Sequence, residues 1–445
     1  MVRTARFDVL VVGAGPAGSM AARGLARGGA RVALLDKAAF PRDKACGDLV
    51  GPRGLQVLDD LGLDRPSGLA VGEMVVLGPT GRRVRLPCFD GETYPGRAVA
   101  VPREGFDATL RAAALDAGAE PIAGRAGEPV VDDGRIDGFR TASGEVRADV
   151  IIGADGATSR VADAAGLVDP GRVLWGFAVR TYLEQPVDVP HIVWWEPERR
   201  RALAGYGWIF PGPDGRANAG VGVGTGSSRR AGAEAVRMLP AFMTHLRDLG
   251  LVTANGGAPR GQNRMIGGWL KMGMVGTSPG AGRVLLVGDA AGLVNPLQGE
   301  GIAQAMTSGR AAAEAVLAGP DTAARRYRDF LATAHLPYQQ VTAAVHAGMV
   351  SRPRLVSAVS RALTAPGVGS ALAGGWALFW NELLDGAPAG PDRAVAKFAT
   401  SAGRAATGFG RTRRWFDAAY PAPPGGPTMH GRGIPGVPQN PLRGP

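Results

Sequence analysis

The first pattern in this sequence that could do chemistry is made of residues with almost no side chain. Gly13, Gly15 and Gly18 fall at G-x-G-x-x-G spacing within FDVLVVGAGPAGSMAARGLARGGARVALLD, from Phe7 to Asp36. At this spacing the first glycine permits a tight turn, the second lets backbone approach a pyrophosphate, and the third lets the following helix pack close on a sheet. Phosphate then meets a helix N-terminus, where unpaired N–H groups and the dipole favour negative charge. Asp36 closes the next apolar run about twenty residues on, where a carboxylate can hydrogen-bond a ribose hydroxyl. The pattern predicts dinucleotide binding.

Three later stretches add reactive or shaping groups. The loop PRDKACGDLV, from Pro41, leaves the carboxyl end of a parallel strand and so lies beside a bound dinucleotide. Arg42 and Lys44 could meet phosphate or substrate charge there, and Cys46 either faces a redox centre or fills a small packing site. Alternation in GYGWIFP puts Tyr206, Trp208 and Phe210 on one face, as a wall for an apolar or planar ligand or as plain sheet core. After a strand from Val284 to Gly288 comes Asp289, then an Asn295-Pro296 turn. Gly299 and Gly301 there keep side chains off a close backbone approach. An Ala-rich helix starting at Ile302 aims a second N-terminus at the same cleft. His191, His245, His335, His346 and His430 lie outside every motif and read as structural or exposed.

These groups need elements to hold them. Gly51-Pro52 starts a helix through Leu55, Val57, Leu58 and Leu61. Met74 to Leu86 alternates about a Pro-Thr-Gly turn and predicts a hairpin. Val101 to Leu115 is an amphipathic helix with Phe106, Leu110 and Ala114 inward and Arg103 at its start. A strand from Val146 to Ile152 ends in GADG, with Asp155-Gly156 as a turn and Ser159 and Arg160 opening a helix. Short aromatic runs from Trp175 to Val223 predict an antiparallel sheet.

The predicted fold class is α/β. A discontinuous Rossmann-type nucleotide-binding domain takes residues 1–73, 101–170 and 276–335, and an antiparallel β-sheet substrate domain takes 74–100 and 171–275. A C-terminal helical region covers 336–415, and a Pro- and Gly-rich tail at 416–445 is expected to be disordered. Within that region Ala365 to Leu384 is apolar and aromatic, suited to packing over the substrate domain or to lying on a membrane surface. Arg404, Arg411, Arg413 and Arg414 nearby suit anionic headgroups.

A net charge of +11 admits anionic partners, but no nucleic-acid motif accompanies it, so nucleic acid is excluded and a membrane-surface contribution stays open. No apolar run is long enough to span a bilayer, and Arg3, Arg6 and Asp8 do not precede a signal-peptide core, which predicts a cytoplasmic protein. Cys46 and Cys88 are too few for a disulfide framework or a structural zinc site, and no metal is expected.

The glycine fingerprint, PRDKACGD at 41–48, GADG at 153–156, GYGWIFP at 205–211 and GDAAGLVNPLQGEGI at 288–302 occur in this order. Together they resemble the geranylgeranyl reductase family, within the wider group of FAD enzymes that share the p-hydroxybenzoate hydroxylase fold. The resemblance fades after residue 335. Members saturate isoprenoid double bonds of chlorophyll precursors, archaeal lipids or menaquinone, so it implies an apolar or prenylated substrate. It implies FAD, with Gly13, Gly15, Pro16, Ala17, Gly18, Asp36 and Lys37 at the ADP half. Arg103 and the backbone of Lys44, Ala45 and Cys46 would touch the cofactor, as would Asp155, Gly288, Asp289, Pro296 and Gly299. Gly301 and Ile302 would lie under the isoalloxazine. Cys46, Tyr206 and Trp208 are the implied catalytic residues, lining a substrate tunnel with Pro296. After Gly47 the chain continues Asp48-Leu49-Val50-Gly51 and lacks further glycines that some members carry, so the resemblance does not extend to substrate reach at that loop.

The implied chemistry is hydride delivery from flavin N5 to an alkene, with a proton from Cys46, Tyr206 or water. No second fingerprint for a nicotinamide is present. The reductant is then NAD(P)H docking transiently, or another external donor. Two other readings suit the same fold: a flavin monooxygenase hydroxylating or epoxidising a terpenoid or aromatic substrate, and a flavin-binding protein without turnover. Intact reactive-side loops weigh against the last. A tryptophan-dependent halogenase is disfavoured because Tyr206, Trp208 and Phe210-Pro211 replace its Trp-x-Trp-x-Ile-Pro pattern.

Overall fold

Near-continuous apolar runs are buried on both faces, and residues 9–12 of the strand Thr4–Val12 form one: Leu10 and Val11 are fully buried at the centre of an eight-stranded sheet. A computed structural model describes residues 4–87, 96–226, 232–253 and 265–369. The C-terminal stretch from residue 370, including Arg404, Arg411, Arg413, Arg414, His430 and the tail, lies outside the described residues, as does Cys88.

Five strands of this sheet run parallel, in the order Val284–Leu286, Gly144–Gly153, Thr4–Val12, Val32–Asp36 and Glu120–Ala123. Gly280–Ala281 pairs antiparallel at one end, and Arg135–Thr141 with Pro129–Asp132 forms an antiparallel branch on Gly144–Gly153. The predicted strand to Gly288 stops at Leu286, and Gly288–Ala291 winds into a 3-10 turn. Gly288, at φ +56°, breaks the extended run and swings Asp289 out of the sheet. The helices Pro16–Arg27 and Ile302–Leu317 pack together almost backbone to backbone, since a Cβ on Gly309 would lie 2.1 Å from the Ala17 carbonyl oxygen.

The second sheet has seven strands, in the order Ile266–Met272, Leu174–Leu183, Ala217–Gly226, Gly205–Pro211, His191–Val193, Glu73–Leu77 and Arg83–Pro87. The last two form the predicted hairpin. The sheet is antiparallel except at one seam, where Glu73–Leu77 runs parallel to His191–Val193. This hairpin comes from more than a hundred residues earlier in the chain, so no short turn dictates its direction. The helix Gly232–Asp248 covers one face and presses Phe242 under Gly207, whose Cβ would lie 2.1 Å from the ring. Glycine between Tyr206 and Trp208 therefore lets the back of the strand accept a phenyl ring while the front carries aromatics. Leu49–Val50, Ala98–Ala100 and Leu69–Val71 form a small third sheet.

The chain then continues in helices, Ala323–Ala334, Leu336–Ser351 and Pro353–Leu363. The last has its polar side inward: Ser357, Ser360 and then Thr364 are buried, while Leu355 and Val359 are exposed. Ser357 and Arg361 bond to Glu196, which fixes that orientation. No helix of the described residues is long and apolar enough to cross a membrane.

The Gly207→Ala substitution tests the back-face packing. It should cost about 1–3 kcal/mol by overpacking against Phe242, read as a lower urea midpoint with an unchanged slope.

Candidate active site

One cavity of about 540 Å³ runs between the two large sheets, from Gly13, Asp36 and Arg125 at one end to Tyr206, Trp208, Phe210, Pro296 and His346 at the other. Its wall brings together Gly13, Gly15, Pro16, Ala17, Asp36 and Lys37, and, opposite them, Lys44, Ala45, Cys46 and Arg103. Asp155, Asp289, Pro296, Gly299, Gly301 and Ile302 complete the middle. Two predicted residues stand one layer back. A Cβ on Gly18 would lie 1.8 Å from the Gly13 carbonyl oxygen, and one on Gly288 3.0 Å from the Ala17 methyl, so both set spacing and do not line the cavity.

The donor set fits a dinucleotide. Gly15 and Gly301 precede the helices Pro16–Arg27 and Ile302–Leu317, neither start has a side-chain cap, and neither first turn holds an acid. Two sets of unpaired N–H groups therefore face the cavity, as an anion or an electron-rich ring requires. Gly13, at φ +105°, sits so near Ala154 that a Cβ would be 2.3 Å from its carbonyl oxygen. Asp36 accepts from the Ala14 N–H at 2.6 Å and the Ala38 N–H at 2.8 Å, leaving each oxygen a further lone pair for a ribose hydroxyl. Lys44 Nζ lies 3.4 Å from Asp289 Oδ2, bridging the loop to the 3-10 turn. Asp155 lines the cavity and is also bonded within its own turn. Its carboxylate accepts from Ser159 Oγ and the Arg160 and Val161 N–H groups, so it caps the short helix Arg160–Ala164, and burial pushes its pKa up against those bonds.

A buried polar network fixes the Cys46 loop. Asp48, at φ +60° and 4% exposed, accepts from Tyr182 Oη at 2.5 Å, Asn218 Nδ2 at 2.8 Å and the Arg103 N–H at 3.3 Å. Burial pushes its pKa up, and the Tyr182 and Asn218 donors pull it down. Asn218 also donates to the Cys46 carbonyl at 2.8 Å and accepts from Trp208 Nε1 at 3.0 Å. Arg180 on the same sheet pairs with Asp43 and lies over the Tyr182 ring. Asp48 is thus the reason the Cys-Gly-Asp order places Cys46 where it does.

Arg103 is buried and holds Asp107 through two bonds, Nε–Oδ1 at 2.7 Å and Nη2–Oδ2 at 2.8 Å, and Arg42 joins the same carboxylate at 3.0 Å. Burial disfavours the Arg103 charge, but Asp107 and the Cys46 thiol beside it outweigh that and raise its pKa. Tyr206 donates to the Gln298 carbonyl, and burial keeps the phenol protonated by pushing its pKa up. The aromatic rings are both wall and core: Trp208 and Phe210 are buried, and they pack on one another while lining the cavity.

A family profile described as an FAD binding domain covers residues 6–195. The menaquinone reductase of Mycolicibacterium smegmatis is 37% identical over 71% of this chain and 77% of its own length. A digeranylgeranylglycerophospholipid reductase of Methanopyrus kandleri is 33% identical over 73% of this chain and 81% of its own. The chain belongs to the geranylgeranyl reductase family. It is an FAD-dependent oxidoreductase reduced by an external electron donor. The fold is shared with a geranylgeranyl bacteriochlorophyll reductase-like protein from Thermoplasma acidophilum, at a TM-score of 0.64 and 23% identity over 83% of this chain and 99% of that one.

Several residues at the enzyme's site escape motif reading. Tyr182 and Asn218 sit on strands with no reactive pattern of their own, although the spacing NAGVGVG holds a signal. Gly220, Gly222 and Gly224 face the cavity side while Ala219 and Val221 pack into the core beneath the helix Gly232–Asp248. A Cβ on Gly220 would lie 2.3 Å from the Trp208 ring, so this stripe of absent side chains makes room for the indole. His346, expected to be structural or exposed, is 3% exposed and lines the cavity. Its position comes from the helix Leu336–Ser351, whose placement no local pattern specifies.

Two outcomes test this geometry. Asn218→Ala strands the Trp208 donor and removes a donor from a buried carboxylate, and should cost about 1–3 kcal/mol in urea unfolding. Burial lowers the His346 pKa from 6.5 to about 4, so its contribution is whole above 6.5 and lost as pH falls towards 4. Relative to His346→Gln, the wild type should lose about 3 kcal/mol across that window, measured by unfolding at stepped pH.

Proposed function

We propose that the enzyme reduces carbon–carbon double bonds of an isoprenoid or another apolar substrate at the aromatic end of the cavity. One observation carries this reading: uncapped helix starts and an aromatic wall share a single cavity, with Cys46 and Arg103 between them. The names of the two reductase relatives support a prenylated substrate. In this reading residues 1–73, 101–170 and 276–335 form the FAD-binding domain, and 74–100 with 171–275 form the substrate domain.

Bound and reduced, by NAD(P)H or another donor, FAD supplies hydride from N5. The chain's part is to orient, exclude water and supply a proton. Gly13, Gly15, Pro16, Ala17, Asp36 and Lys37 would hold the ADP half, while Gly301 and Ile302 would support the ring. Tyr206 and Trp208 would hold the alkene, and the Tyr206 proton is engaged by the Gln298 carbonyl. Cys46 is therefore the favoured proton source for the second carbon, and Arg103 beside it balances the charge left on sulfur until solvent returns the proton. Peripheral membrane contact from the cytoplasmic side belongs to the same reading. Leu355 and Val359, 56% and 46% exposed, point outward from the helix Pro353–Leu363, where a lipid substrate would be drawn from a bilayer.

Anaerobic reduction followed by a prenylated quinone or lipid should yield product heavier by two hydrogens, read by mass spectrometry. An oxygenated product on admitting air would establish a monooxygenase instead, and no product with any apolar substrate would favour a binding protein. Cys46→Ala should retain FAD and lose about 10²–10⁴-fold in turnover, with Cys46→Ser recovering part of it.

A further inference from the structure

The helix Pro353–Leu363 is amphipathic in the inverted sense. Its buried side is polar, through Ser357 and Ser360 with Thr364 following, and its outer side exposes Leu355, Ala358, Val359 and Ala362. Those four positions fall three or four residues apart and make one continuous apolar stripe along the helix. The orientation is fixed from within: Glu196 accepts from Ser357 and Arg361, and Thr364 fills the space that a Cβ on Gly78 would take.

One border of the stripe is basic. Arg354 and Arg361, seven residues apart, lie on one side of the helix, and the loop from Glu196 to Ala202 runs along that side. Glu196 holds Arg361 at one end of the loop, and at the other the Ala202 N–H donates to the Pro353 carbonyl at 3.2 Å. Arg199, Arg200 and Arg201 are exposed in this loop, beside exposed Arg352 and Arg354 at the helix start. The helix has no acid of its own, and both glutamates of the loop are engaged, Glu196 by Arg361 and Glu198 by Arg201. An excess of positive charge therefore borders exposed apolar surface. The same surface backs the aromatic end of the cavity. On the preceding helix Leu336–Ser351, His346 lines the cavity while its neighbour Val345 is 47% exposed.

We propose that this face docks on an anionic lipid surface, with the helix Pro353–Leu363 lying flat along it. Leu355 and Val359 enter the boundary between headgroups and acyl chains, and Arg199, Arg200, Arg352 and Arg354 meet the phosphates. An apolar stripe rimmed by arginine is the pattern of a helix that lies in a membrane interface, and each arginine near an anionic leaflet contributes about fivefold in binding. The inference rests on the reading of peripheral membrane contact and adds to it a requirement for negative charge, read by named arginines. Docked in this way, the enzyme turns the helical cover of the cavity's aromatic end towards the bilayer.

The test is co-sedimentation of the FAD-loaded full chain with vesicles that hold no prenylated molecule, made of phosphatidylcholine alone or of phosphatidylcholine with phosphatidylglycerol. The wild type should bind the anionic vesicles about tenfold or more tightly than the neutral ones, and raised salt should remove most of the difference. Arg199→Ser with Arg200→Ser, and Arg352→Ser with Arg354→Ser, should each weaken binding to the anionic vesicles about tenfold or more. Arg27→Ser with Arg135→Ser, at exposed positions on the helix Pro16–Arg27 and the strand Arg135–Thr141, should change it by less than about twofold. Leu355→Ser with Val359→Ser should weaken binding at low and at high salt alike. FAD content and the unfolding midpoint report folding for each variant. Equal binding to the two kinds of vesicle overturns the proposal. So does an equal loss in the Arg27 and Arg135 variant, which would assign binding to the net charge of +11. Self-association that Leu355→Ser with Val359→Ser abolishes, without vesicle binding by the wild type, would give the face to a second copy of the chain and also overturn it. Turnover of a prenylated substrate in detergent reports the reductase reading separately, so either can fail without the other.

Discussion

The site depends on one buried carboxylate. Asp48 sits in a left-handed conformation and takes donors from Tyr182 and Asn218 on the seven-stranded sheet and from the Arg103 N–H on a helix. An ionised group in such a place is stable only with its lone pairs engaged, so the three elements are held in register by the penalty for separating them. Cys46 and Gly47 lie in the same loop. Gly47 presses on the Phe210 ring, with a Cβ there only 2.9 Å from it, and the Cys46 carbonyl is tied to Asn218. Cys46, the aromatic wall and the start of the Arg103 helix therefore have one common anchor.

Space is arranged by omission. Gly13, Gly18 and Gly309 let strand, turn and helices approach until backbone touches backbone, which brings the two uncapped helix starts onto one cavity. On the other side Gly220 and Gly224 make room for an indole and an imidazole, and Gly207 admits Phe242 from behind. The aromatic end of the cavity thus consists of rings standing over glycines, a packing in which adding a single methyl group is felt.

Local pattern and long-range packing divide what could be read in advance. The strand–turn–helix about Gly13, the Met74 to Leu86 hairpin, the helix carrying Arg103 and the helix from Ile302 were legible because their signals are periodicity and turn chemistry within a few residues. The family follows from the same stretches. The parallel seam between Glu73–Leu77 and His191–Val193 was not legible, since its partners are far apart in sequence and no turn joins them. The capping role of Asp155 was not legible either, since the Asp155-Gly156 turn does not show that the same carboxylate takes donors from Ser159 and Arg160 at the helix start. His346 was invisible for the same reason as the seam: nothing near it in sequence states which cavity its helix will face.

The central claim is that cofactor and prenyl chain meet in one cavity, beside Cys46. A crystal structure of the FAD-loaded enzyme with a geranyl-bearing ligand measures this directly. The expected density has the isoalloxazine over Gly301 and Ile302, facing Cys46, with the prenyl chain against Tyr206 and Trp208. A prenyl chain bound outside this cavity, or a flavin ring directed away from Cys46, would contradict it.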